Sequence, residues 1–263
     1  MPTIKMNLRL RPFLLLRATL VVVLTTFIAF AANAAIDEDE VIEDFRTPTS
    51  DLVELKLPVD TSSAYKERRG THGFMFGLNY ENVQFKDYVS IVDFNTTYYG
   101  MFGDSEFPIY NLLMSYKLNF VLGALTANAG IGYGTHSSED SGTLHKLTVT
   151  KYNVSASYIV DNLFKEPYGA PYVSFGINQF NLDEKSGEVA ISTGIEAAYF
   201  YSVGMLIQLN WLDQSVARDS LRDYGLENTY LDVYVSQFQS SQDGIDPNTQ
   251  TEYNIGAGLK LEF

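Results

Sequence analysis

This sequence predicts an all-β fold, an antiparallel up-and-down barrel whose strands cross a membrane. Three observations predict it: repeated alternation of apolar and polar residues, an export signal at the amino terminus, and a final segment ending on an aromatic residue with apolar residues at every second place before it.

The amino-terminal residues come first. Lys5, Arg9, Arg11 and Arg17 make a positive region without an acid, and residues 18–30 form a short apolar run. Ala32 and Ala34 then supply small residues for a signal peptidase. The run is too short for a spanning helix, which needs about 20 residues. Residues 1–34 therefore read as a Sec-type signal peptide cleaved between Ala34 and Ala35. Residues 35–70 read as an acidic, partly disordered periplasmic extension, opening on Asp37-Glu38-Asp39-Glu40 and ending on Lys66-Glu67-Arg68-Arg69. Leu52 to Leu57 alternates weakly.

Residues 71–263 form the barrel domain. Strands are expected over 73–83, 109–120, 124–134, 145–160, 171–180, 189–201, 203–211, 229–238 and 252–263. In the first, Phe74, Phe76, Leu78 and Tyr80 form one face, and Gly73, Met75, Gly77, Asn79 and Glu81 the other. Such alternation over about ten residues, with one face polar or tiny, marks a membrane strand. Leu147 and Val149 share the parity of Lys151 rather than of Tyr152, which suggests a bulge near Thr150. Nine strands is odd, whereas a barrel with both ends on one side needs an even number. The expectation is 8–12 strands, with ten as the point estimate. The missing one would be Tyr88–Phe94 or Leu52–Leu57, unless 229–238 belongs to a surface hairpin. Tight periplasmic turns are expected after Phe120 and Tyr199, and longer outer loops at 84–107, 135–146 and 213–228.

Composition agrees. Mean hydropathy is −0.06, too low for a bundle of membrane helices. Thirty-two Asp and Glu against 18 Lys and Arg argue against a nucleic-acid partner, which would want a basic stripe. That acidity suits lipopolysaccharide bridged by divalent cations. The chain has no cysteine, so disulfides, thiolate metal sites and a lipidated amino-terminal cysteine are unavailable.

The final segment resembles the carboxy-terminal strand of bacterial outer-membrane proteins: Tyr253, Ile255, Ala257, Leu259, Leu261 and Phe263 stand at alternate places. The resemblance implies recognition by the barrel assembly machinery. The strand–turn–strand unit Tyr158–Tyr172 and the glycine-rich Ala129–Gly134 are similar to those of small OmpA/OmpW-like barrels. This implies a bacterial outer-membrane protein over residues 73–263, with outer-membrane lipid and lipopolysaccharide as surroundings. It transfers no catalytic residue and no cofactor.

Candidate interior charges are Glu81, Lys117, Lys151, Glu196, Asp232, Lys260 and Glu262, which would either line a pore or pair into a plug. In 8–10 strands side chains just fill the interior. Tyr110, Tyr116, Phe120, Tyr133, Tyr158, Tyr199, Tyr201 and Trp211 suit a headgroup-level girdle. His136 and Ser137 are the residue types of a rim hydrolase, although neighbours in a loop do not make a triad. Asp243, Asp246, Asn248 and Glu252 offer oxygens to a divalent cation without the spacing of a calcium loop. The expectation is a non-enzymatic outer-membrane barrel with a structural or surface role, or a narrow channel for small or apolar solutes. The alternatives are a lipid-modifying rim enzyme and a periplasmic β-sandwich binding protein.

Overall fold

The computed structural model describes residues 63–263 except 141, 142, 242 and 245. The signal segment, its cleavage site and the weakly alternating 52–57 lie outside the described residues.

Eight strands close into a barrel: β1 (His72–Val83), β2 (Phe107–Phe120), β3 (Gly123–Asp140), β4 (Thr143–Ile159), β5 (Gly169–Ser186), β7 (Ala198–Gln208), β8 (Asn228–Phe238) and β9 (Asn254–Glu262). A short β6 (Val189–Gly194) pairs only with β5. All pairings are antiparallel; each barrel strand pairs with the next barrel strand, β5 with β7 past the short β6, and β1 with β9 completes the ring. Closure satisfies backbone donors and acceptors strand to strand and leaves the barrel wall without an edge. It also rules out the sandwich alternative. Among the described residues three short helices accompany the strands: α1 (Tyr65–Arg68), α2 (Tyr98–Phe102) and α3 (Gln214–Tyr224).

The structure corrects the strand count from ten to eight barrel strands, and the reason is local. Asn178 of β5 pairs with Ala198, and Asn181 pairs with Gly194. Two residues of β5 thus face three of the partner, Ile195, Glu196 and Ala197. That is a β-bulge, anchored by the Ile195 N–H donating to the Phe180 carbonyl at 2.8 Å. The bulge flips side-chain parity. Residues 189–208 are one crossing of the barrel, which the alternation divided at Ser202. Tyr199 therefore lies within a strand, with no turn after it. Residues 88–94 contribute only an isolated bridge, Val89 with Thr97, and 229–238 is a barrel strand.

No bulge occurs near Thr150. β4 keeps one register with β3 and one with β5 throughout. Leu147, Val149 and Lys151 all point inward; what changes along the strand is the polarity of the interior. The segment 213–228, expected outside, holds α3 and lies at the end of the barrel where β9 finishes. Asp213 caps α3 by accepting from the Ser215 and Val216 N–H groups, and Gly225 ends it in the left-handed conformation.

Candidate functional site: the filled interior

In the lower part of every barrel strand, outward residues are mostly apolar or aromatic and solvent-facing, Leu78, Leu112, Ile131, Phe175, Val203 and Ile255 among them; toward the long loops β3, β4 and β5 turn Glu139, Lys146 and Lys185 outward instead. Inward residues are buried and lie in three layers.

The layer nearest Phe263 is ionic. The Lys117 ammonium donates to Glu262 at 2.5 Å and lies 2.6 Å from Asp161. Tyr65 of α1 reaches up into the barrel, and its hydroxyl donates to Glu262 at 2.7 Å. Burial, then the neighbouring Glu262 and Asp161 carboxylates, push this phenol far above the ordinary tyrosine range, so it stays a donor. Arg69 pairs with Asp161 at 2.7 Å and also donates to the Phe120 carbonyl at 2.5 Å. Arg68 pairs with Glu227 at 2.9 Å. The described end of the 35–70 segment is thus tied across the barrel mouth.

The middle layer holds two ion pairs. Lys151 lies 2.6 Å from Glu81, and Lys260 lies 3.0 Å from Asp232. Ser236 donates to Glu81, Tyr172 to Asp232 at 2.8 Å, and Asn79 to Asp232 at 3.0 Å. Each interior lysine also faces an aromatic ring: Lys117 over Tyr65 at 5.4 Å, Lys151 over Phe238 at 4.8 Å, Lys260 over Tyr172 at 4.7 Å. Two inward tyrosines fit because the residue across the strand pair is glycine. Tyr172 pairs with Gly204 and Tyr234 with Gly256. A Cβ at Gly256 would fall 2.2 Å from the Tyr234 ring.

The third layer, toward the long loops, is apolar. Ile109, Leu147, Val149, Phe180, Leu182, Phe200 and Phe238 meet Phe85 and Tyr88 of the loop between β1 and β2. One buried carboxylate, Glu184, holds that loop by accepting from the Tyr88 hydroxyl at 2.6 Å, the Ser90 hydroxyl at 2.5 Å and the Ile91 N–H at 2.9 Å. Between the layers, a cavity of about 60 Å3 beside Asn79, Asn111 and Lys151 has room for a few waters. The Oδ1 atoms of both asparagines lack a protein partner there among the described residues.

Six of the seven charges singled out from the sequence have side chains in this interior. Glu196 does not; it is exposed on the bulge. Alternation missed Tyr65, Asp161 and Glu184. The first two lie outside the strands, and Glu184 lies where β5 rises above the polar region. Tyr253, Ile255, Leu259, Leu261 and Phe263 share the outward face of the closing strand, and Phe263 exchanges two 2.8 Å backbone hydrogen bonds with Phe74.

His136 and Ser137 are successive residues of β3 and point to opposite faces. The His136 ring packs on Phe102 and Phe107, with centroids at 4.9 and 6.1 Å. They cannot act as base and nucleophile together. Near residue 246, the Asp246 carboxylate accepts from the Glu196 N–H and the Ser241 hydroxyl, both at 2.8 Å. Asn248 accepts from the Gln250 N–H at 2.9 Å, and Glu252 pairs with Lys86 at 2.8 Å. These oxygens serve turn bonds and one ion pair, and no group of three or more potential ligands that could hold a metal occurs among the described residues.

No protein-family model and no curated protein matches this sequence. Among solved structures, similar ones include Ail, the attachment invasion locus protein of Yersinia pestis, at 12% identity and a TM-score of 0.41 over 73% of this chain and 97% of that one. Neisserial surface protein A is similar at 12% identity and a TM-score of 0.40, over 74% of this chain and 98% of that one.

Proposed function

We propose that this chain is an integral bacterial outer-membrane barrel with a structural or surface role, carried by a rigid display of loops rather than by a pore. The observation that carries the reading is the inversion of an ordinary globular fold. The outside of the closed barrel carries a continuous apolar and aromatic belt, and the inside below the apolar upper layer is ion-paired. Only a surrounding apolar solvent makes that distribution favourable. On β2 the belt runs from Tyr110 to Phe120. At about 3.3 Å per residue and a tilt of about 40°, that spans about 25 Å, the height of a barrel's apolar band. Tyr80, Tyr110 and Tyr133 make an aromatic ring at one level, and Phe120 and Tyr158 one at the other.

The filled interior favours the surface role over the channel. Four interior carboxylates and three lysines interlock, and the cavity beside Asn79, Asn111 and Lys151 is about 60 Å3. Above them the clamped loop between β1 and β2 presents Phe94 and Tyr99 to solvent. The test combines two measurements on the full chain refolded into lipid. Folded protein migrates differently before and after boiling, and in planar bilayers it gives no discrete conductance steps. Ready solubility without detergent sinks the membrane reading, and regular single-channel steps sink the filled-barrel reading.

A further inference from the structure

We infer that the end of the barrel carrying Phe263 is seated in the lipid interface, where its three connections form an apolar crown whose partner is a phospholipid surface. The inference rests on the membrane-barrel reading and adds how deep that end sits.

The three connections at this end are residues 121–122, 160–168 and 209–227. Each carries two adjacent apolar residues turned to solvent: Val121 and Leu122, Leu163 and Phe164, Trp211 and Leu212. All six are between 54% and 83% exposed. Turns ordinarily take Gly, Pro, Asn, Asp or Ser, and the turn between β5 and β6 at the opposite end follows that rule with Ser186-Gly187. A contiguous exposed apolar surface marks an interaction site.

Two further observations choose lipid as the occupant. At the 121–122 connection the crown continues the belt without a charged residue between them, since Leu118 and Phe120 lead directly into Val121-Leu122 and on to Leu125. Several of its backbone groups are also satisfied from within. The Val121 carbonyl accepts from the Asn162 amide at 2.6 Å, and the Leu122 carbonyl from the Tyr158 hydroxyl at 3.0 Å. The Leu209 N–H donates to Thr229 at 2.8 Å, and the Leu212 N–H to Leu209 at 3.0 Å. Internal partners of this kind lower the cost of seating a turn where water is scarce. Lys165 directly follows Phe164, and Arg218 is exposed on α3, so long cationic side chains stand beside the crown within reach of lipid phosphates.

Trp211 is the chain's single tryptophan and reports on the crown without any substitution. The full chain is folded into phosphatidylcholine–phosphatidylglycerol vesicles containing lipids brominated either near the headgroup or deep in the acyl chain. The expected result is severalfold quenching of Trp211 by the shallow bromolipid, less by the deep one, and weak quenching by aqueous acrylamide. In a Trp211→Phe background, Leu112→Trp on the belt is quenched most by the deep bromolipid, and Leu122→Trp behaves as Trp211 does. If Leu112→Trp is quenched by lipid while Trp211 and Leu122→Trp answer only to acrylamide, the crown faces water and the inference fails while the barrel reading stands. If no position answers to lipid, both fall.

Discussion

At the residue scale, the interior lysines follow one arrangement: a carboxylate within salt-bridge distance and an aromatic face beside it. A buried ion pair is no guarantee of stability, but breaking one side strands the other charge at a cost of about 3–5 kcal/mol. Lys117→Met, which leaves Glu262 and Asp161 without their ammonium, is expected to destabilise the barrel by about that much, read as a lowered urea midpoint in lipid. Glu81→Gln with Lys151→Met together should cost clearly less than the sum of the single changes; additive losses would mean that the pair does not interact. Gly256→Leu is expected to cost about 1–3 kcal/mol by overpacking against Tyr234, and Tyr234→Ala in the same chain should recover most of it. Asp93, in the loop outside the strands, accepts from the Thr96 hydroxyl and from the Thr96 and Asn95 N–H groups at 2.9 and 3.0 Å. These bonds hold its carboxyl at about 2, against 3.8 for the free group. Because the folded value lies below the unfolded one, the loop's gain from Asp93 is complete above about pH 4 and fades as pH falls through 2. Carbon NMR of the Asp93 carboxyl in micelles checks this, and a midpoint near 3.8 would contradict it.

At the element scale, period-2 reading fails where the chain adds a residue and where the interior changes polarity. The bulge at Ile195–Ala197 moves the inward set from odd to even positions, so the single alternation read over 189–201 mixes two faces; the break read at Ser202 is separate, since Tyr199, Tyr201, Val203 and Met205 keep one outward parity through it. Leu147 and Val149 break the expected polar interior without breaking register, so an even strand reads as bulged. The second error arises because alternation reports which residues share a face but not what that face meets, and the first because a bulge changes which residues share it. Deleting Glu196 removes the extra residue of the bulge. Hydrogen exchange should then show lost protection in 181–186, with the barrel portion of β5, 169–178, still protected. Unchanged protection above the bulge would mean that β6 takes a new register without cost.

At the scale of the whole molecule, closure and filling decide what the barrel does. β1 and β9 lie far apart in sequence and meet along most of their length, from Met75 with Glu262 to Asn82 with Ile255. With eight strands the interior admits side chains and little else, and the conductance test above reads that property directly. The sequence by itself determined that the barrel is all-β and which face of most strands turns outward, because a half-buried strand writes its environment into every second residue. Strand number, the partners of those charges, the tie of Tyr65 and Arg69 across the mouth, and the apolar upper layer were decided only by the tertiary structure. Each depends on contacts between residues distant in sequence, such as Lys117 with Asp161 and Glu262, which no local period records.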